Sequence, residues 1–266
     1  MMRTRMGCCE ADNIGNYTTN TEGVVQIRPC ALSRDPANLA SFIGSWIHST
    51  EELAASFAAA HPLPHVVIDG FFEADFAHAM AEAFPPADGP LWHVYDNPLE
   101  RKRACSNTAQ MPDVLRAAIE ALCGPSIVEA VRLLTGNTDA ELLQADPYCH
   151  GGGLHSHVPG GKLDLHLDYS LHPTTGLERR YNLIVYLSEE WRESYGGALE
   201  LWAPSEQDPT RPGQLGARIP PLFNRAVLFD TAAPAFHGFP QVRCLLALLP
   251  RLAAVATKQI VLTCAP

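Results

Sequence analysis

The stretch Lys162-Leu-Asp-Leu-His166-Leu-Asp168 is followed by Tyr181-Asn-Leu-Ile-Val-Tyr186-Leu187, Ala198-Leu-Glu-Leu-Trp202 and Arg225-Ala-Val-Leu-Phe229. Each is a short run rich in apolar and β-branched residues, bounded by turn-forming ones, which is how a strand reads. Several short strands with loops between them predict a sandwich or barrel. Gly151-Gly152-Gly153 marks the hinge or turn where this texture begins.

Toward the N-terminus the pattern turns helical. Ser49 with Glu52 forms a capping-box pattern that opens a helix to Ala60, and His61-Pro62-Leu63-Pro64 stops it. His65 to Asp69 reads as a buried strand, Asp69 or Glu73 starts a helix through Phe84, and Trp92 to Tyr95 reads as a strand. Asp113 to Cys123 is an amphipathic helix, and Ser126 with Glu129 caps a second one ending near Gly136. Residues 1 to about 40 are polar without a sustained period. The expected plan is an N-terminal extension over 1–60 with one helix, then a domain over 61–266. Its fold class is mainly β with flanking α.

Composition bounds the function. The 266 residues carry 19 basic and 29 acidic side chains, a net charge of −10, which argues against binding a phosphate backbone. Apolar residues at 47% provide for a sizeable core. No apolar run reaches the roughly 18 residues of a membrane span. The start lacks a signal-peptide pattern, and the eight cysteines contain no C-x-x-C pair. The expectation is a cytoplasmic protein with free thiols and without nucleic-acid or membrane partners.

Five of the eleven histidines fall between 150 and 172, and the sharpest feature is His166-Leu167-Asp168. In a strand, residues i and i+2 face the same side, so the two side chains can reach one metal together. His237, in Phe236-His237-Gly238-Phe239-Pro240, is the best third ligand. Two histidines and a carboxylate can take one face of an octahedral ion and leave the other free, which suits non-haem Fe(II). His155-x-His157 is an alternative metal pair, although its Gly-rich surroundings favour a loop or supporting role.

The ordered succession His166-x-Asp168, Arg179-Arg-Tyr-Asn182-Leu-Ile-Val-Tyr186-Leu, Trp191, Gly196-Gly197-Ala-Leu-Glu-Leu-Trp202 and His237-Gly-Phe-Pro240 resembles the Fe(II)/2-oxoglutarate dioxygenase superfamily, prolyl-hydroxylase-like branch. Pro64-His65-Val-Val-Ile-Asp69-Gly-Phe-Phe72 resembles the usual opening of such domains. The resemblance implies a double-stranded β-helix, or jelly-roll, core. It implies Fe(II) on His166, Asp168 and His237, with 2-oxoglutarate and O₂ as co-substrates, and it admits ascorbate as a reductant. It further implies hydroxylation of an unactivated carbon with release of succinate and CO₂. The substrate would be a prolyl or other protein residue, or a small amino-acid-like metabolite.

The far carboxylate of 2-oxoglutarate needs a cation. The resemblance puts that cation ten to fifteen residues past the distal histidine, which points to Arg251, with Arg243 as the alternative. Tyr186 matches a tyrosine that donates to the same carboxylate, and Asn182 shares its strand face and could line the pocket. Glu178 to Arg180 is expected on a loop near the site entrance. After Cys244 the sequence leaves the family pattern, and an altered reading frame or splice form is one hypothesis for that. Two rival readings stay open: a catalytically impaired jelly-roll binding module, and a cupin-like metalloenzyme that does not use 2-oxoglutarate.

Overall fold

The structure is a computed structural model. It describes residues 42–137, 143–146, 148–232 and 234–243 in full, and the backbone alone of 17–19, 25–27 and 257–265. It divides into two units, 1–34 and 35–266. The first holds an antiparallel pair, β1 (Tyr17–Thr19) and β2 (Val25–Ile27). The second takes in Ile43, Trp46 and Phe57, buried in its core although they precede residue 61.

Among the described residues, four α-helices precede the β-rich half: α1 (Thr50–Ala59), α2 (Ala74–Glu82), α3 (Asp113–Leu122) and α4 (Pro125–Thr135). They lie where the periodicity puts them, but two caps differ. Ser49 makes no side-chain capping bond, because its backbone (φ −118°, ψ 27°) is not extended as a capping residue's is. The fourth helix starts one residue earlier than Ser126. Pro125 takes its first turn, where the missing N–H costs nothing, and Gly124 is the cap. Gly136 ends it in the left-handed conformation at φ 64°.

The remaining strands are β3 (His65–Asp69), β4 (His93–Asp96), β5 (Glu100–Cys105), β6 (Gln144–Ala145), β7 (Gly153–His157), β8 (Lys162–His166), β9 (Tyr181–Tyr186), β10 (Leu199–Pro204), β11 (Pro212–Ile219), β12 (Arg225–Asp230), β13 (Phe236–Phe239) and β14 (Thr257–Ala265). Their order is β11-β10-β13-β8 on one side and β7-β14-β9-β12-β3 on the other, with β5 pairing to both β8 and β7. All these pairings are antiparallel. Of the strands β7 to β14, β8, β10, β11 and β13 form one sheet and β7, β9, β12 and β14 the other, which is the jelly-roll.

Strand β9 shows why a run apolar at nearly every position suits the middle of this fold. Leu183, Val185 and Leu187 pack against the helices with Phe57, Leu115 and Ile127. Ile184 and Tyr186 point the other way, into the roll, with Leu199, Leu201, Val227 and Phe229. Both faces are covered, so both must be apolar. Each fully buried Leu, Ile or Val contributes about 1.5–3 kcal/mol relative to exposure.

The strands β1, β2, β5, β6, β7 and β11 were not expected from sequence. The terminal strand β14 pairs with β7, β9 and β6. Arg243 precedes it, exposed after β13, with its amide donating to the Tyr195 carbonyl. Arg251 lies outside the described residues.

Candidate metal centre

The site is built where β8 ends and β13 runs beside it. His166 is the last residue of β8, and Asp168 follows it on the outgoing loop. His237 on β13 is the register partner of His166, and the two rings lie 4.3 Å apart between centroids. His166 Nε2 is 3.6 Å from Asp168 Oδ1, and His237 Nε2 is 3.5 Å from Asp168 Oδ2. One ligand atom from each of the three lies within 4.8 Å of the others, and among the described residues no other group of three His, Cys, Asp or Glu side chains meets that condition.

Both imidazoles are oriented by the backbone. His166 Nδ1 lies 3.0 Å from the Asp164 carbonyl, and His237 Nδ1 lies 2.8 Å from the Ala235 carbonyl. A carbonyl only accepts, so each Nδ1 carries the proton and each Nε2 presents its lone pair inward. Burial pushes the His237 pKa down to about 4, against the pull of Asp168, so the ring is neutral at neutral pH. For Asp168, burial disfavours the charged form, but His237, His166 and Arg179 outweigh it and hold the carboxyl well below the usual range. Two imidazole nitrogens and one ionised carboxylate oxygen therefore converge on one point.

Behind the carboxylate is a hydrogen-bonded support. Asn182 Nδ2 donates to Asp168 Oδ2 at 2.7 Å. Arg179 donates to Asn182 Oδ1 from Nε at 2.9 Å and from Nη2 at 2.7 Å, and its Nη2 also lies 3.3 Å from Asp168 Oδ2. Its side chain is 5% exposed and stacks 4.7 Å over the Tyr169 ring. Asn182, expected to line the co-substrate pocket, is thus engaged by the carboxylate and the guanidinium. Arg179 opens the family-like segment and was expected on an entrance loop, with no role assigned at the carboxylate. The one sequence signal for its role is its place three residues before Asn182.

Tyr186 is fully buried inside the roll, and burial pushes its phenol well above the ordinary range, so it remains a hydrogen-bond donor. His155 and His157 are on β7 rather than in a loop, both buried, with the His157 ring 4.5 Å from Phe239. The register of β14 sets Thr257 opposite His157, and Gln259 opposite both His155 and Tyr186.

Residues 152–256 match the sequence profile of the 2OG-Fe(II) oxygenase superfamily. A 64-residue stretch is 34% identical to the prolyl 3-hydroxylase OGFOD1 of Xenopus laevis, covering 24% of this chain and 12% of that protein. The matched stretch is thus about an eighth of the length of this curated relative. Among solved structures, a prolyl-4-hydroxylase of Pseudomonas putida superposes with a TM-score of 0.55 at 14% identity, covering 80% of this chain and 98% of its own. The Trichoplax adhaerens prolyl hydroxylase, in complex with a hypoxia-inducible-factor peptide, gives 0.58 at 12% identity, covering 89% and 96%. HygX of Streptomyces hygroscopicus, with nickel, 2-oxoglutarate and hygromycin B bound, gives 0.52 at 13%, covering 81% and 86%. These structures share the fold, and among the described residues no helix is long and apolar enough to cross a membrane.

Proposed function

From the match of residues 152–256 to the 2OG-Fe(II) oxygenase superfamily, we propose that the protein is an Fe(II)- and 2-oxoglutarate-dependent hydroxylase acting on an unactivated C–H bond. The observation that carries the proposal is the convergence of His166, Asp168 and His237 within 4.8 Å. The donor set fits a ferrous ion: two imidazole nitrogens and a carboxylate on one side, with the other side free for exchangeable ligands. The ion, with 2-oxoglutarate and O₂, supplies the oxidising equivalent that turns C–H into C–OH and releases succinate and CO₂.

The chain's own groups do the rest. His166 and His237 hold the ion through Nε2, with their Nδ1 protons tied to the backbone. Asn182 and Arg179 occupy one side of the Asp168 carboxylate and fix its direction. Tyr186, with Arg251 or Arg243, is the proposed anchor for the far carboxylate of 2-oxoglutarate. The roll of apolar side chains around Tyr186 keeps that end dry. The substrate is proposed to be a prolyl residue or a proline-like metabolite, a reading supported by the stretch shared with a prolyl 3-hydroxylase.

The test is anaerobic addition of Fe(II) and 2-oxoglutarate to the purified protein, read as the visible metal-to-ligand charge-transfer band. The proposal expects the band, and expects His166→Ala to abolish it. Iron uptake without the band would overturn it in favour of a metalloenzyme that does not use 2-oxoglutarate. Failure to bind iron would leave a jelly-roll binding module.

A further inference from the structure

A cavity of about 410 Å³ lies between the β4–β5 hairpin and β7, and its lining residue Gly151 packs against Arg179, the partner of Asp168. The volume is toward the small end of ligand pockets, which run from about 300 to 1,000 Å³. The register explains its lining. His93 pairs with Ala104 and Tyr95 with Lys102 across the hairpin, and Ala104 pairs with His155 on β7, so all five side chains share one face.

Two cations border this space. Lys102 lines it directly, with a side chain 17% exposed and Nζ 5.1 Å from the centre of the Tyr95 ring. Arg179 lies behind Gly151, which also lines the cavity. A Cβ at Gly151 would sit 3.2 Å from Arg179 Nη1, so only the missing side chain leaves the guanidinium open on that side. His155 stands within the field of both cations. Burial first, then Lys102, His157 and Arg179, push its pKa well below the ordinary value, so it adds no third charge.

The acidic groups facing these cations lie to one side. Glu100 Oε2 is 2.9 Å from Lys102 Nζ, and Asp168 Oδ2 is 3.3 Å from Arg179. Arg179 Nε and Nη2 are engaged by Asn182 and Asp168, and Nη1 is the nitrogen facing Gly151. An ammonium has three donors, and the carboxylate of Glu100 uses one. A half-enclosed site with spare cationic donors and low local dielectric selects a carboxylate, which makes short, charge-assisted hydrogen bonds.

We infer that this cavity is a carboxylate-binding subsite of the substrate pocket, with Lys102 as its specificity-determining residue. The inference rests on the hydroxylase reading for its substrate but concerns binding alone. The carboxylate could be that of a free amino acid or an acidic side chain beside the target residue in a peptide. Both present the same group to Lys102.

Calorimetric titration of the Ni(II)- and 2-oxoglutarate-loaded protein separates these sources. One arm compares L-proline with L-prolinamide. The other compares acetyl-Pro-Glu-amide with acetyl-Pro-Gln-amide. In at least one arm the acid should bind tenfold or more tightly than its amide. Lys102→Gln should erase that preference, and Lys102→Arg should keep it. Equal binding of acid and amide in both arms, no binding in either, or a preference that survives Lys102→Gln would overturn the inference. The charge-transfer band, measured on the same preparations with Fe(II), keeps the two readings apart. Acid preference without the band sinks the hydroxylase reading alone, and the band without acid preference sinks the subsite alone.

Discussion

His237 on β13 is the direct register partner of His166 on β8. Cross-strand partners bring side chains to about 5 Å, so the pairing itself sets the spacing of the two imidazoles. The carbonyls of Asp164 and Ala235 each lie two residues before the histidine they orient. The same local device on two neighbouring strands points both Nε2 atoms at Asp168.

Gly238 protects that register. A Cβ there would fall 2.6 Å from the Leu163 carbonyl oxygen and 3.1 Å from Asp164 backbone atoms on β8. Gly238→Ala should therefore push β13 away from β8, lowering Ni(II) affinity in a titration and the melting temperature together. A variant with unchanged affinity would show that the close approach does not set the site.

The support behind Asp168 makes a second prediction. Removing Asn182 or Arg179 leaves the carboxylate free to rotate, and loss of such outer partners costs about 10–100-fold in metal affinity. Asn182→Ala and Arg179→Ala should each fall in that range. Arg179→Lys should not restore binding, because one ammonium cannot reproduce the planar fork that reaches Asn182 and Asp168 together. Wild-type affinity in Arg179→Lys would contradict the geometric role.

Acid should weaken the metal-free fold. His237 is held neutral with a pKa of about 4, and His155 is also pushed well down, while in the unfolded chain each ring takes up a proton near pH 6.5. A depressed histidine contributes stability that is full above the unfolded pKa and lost as pH falls toward the folded one. The loss therefore sets in below about pH 6.5, and the His237 share is at most roughly 3 kcal/mol. Asp168, held low, extends the loss below the ordinary carboxylate range. Thermal melts of the metal-free protein from about pH 7.5 to 4.5 should show a falling midpoint. A flat midpoint would mean that these rings are not buried neutral.

Metal should offset part of that loss. An ion that binds only the folded chain stabilises it by mass action, so Ni(II) at about 100 times its dissociation constant adds about 2.7 kcal/mol. The effect should shrink as acid protonates the ligands. Asp168→Ala should show no such stabilisation, and a metal-induced rise in its melting temperature would place the ion elsewhere.

Much of this was legible in the residues. The apolar runs of β9 and β12 and the amphipathic α3 and α4 declare themselves by composition and period. The i, i+2 spacing of His166 and Asp168 survives into the structure as a shared ligand geometry, although Asp168 stands just past the strand end. What stayed hidden depends on tertiary pairing. Strand β7, Gly-Leu-His-Ser-His, carries polar side chains at three of five buried positions and begins with glycine, so local signals favoured a loop. Strand β5 carries four charged residues in six, and β11 contains proline and two glycines. Arg179 sits beside Arg180 and reads as surface charge. Only the fold brings it against Asp168.

The central claim is that three side chains share one ion, and anomalous diffraction from crystals grown with Ni(II) and 2-oxoglutarate tests it most directly. The account predicts one strong metal peak per chain, about 2.0–2.2 Å from His166 Nε2, His237 Nε2 and an Asp168 oxygen. A metal peak at His155 and His157, or no peak between β8 and β13, would contradict it.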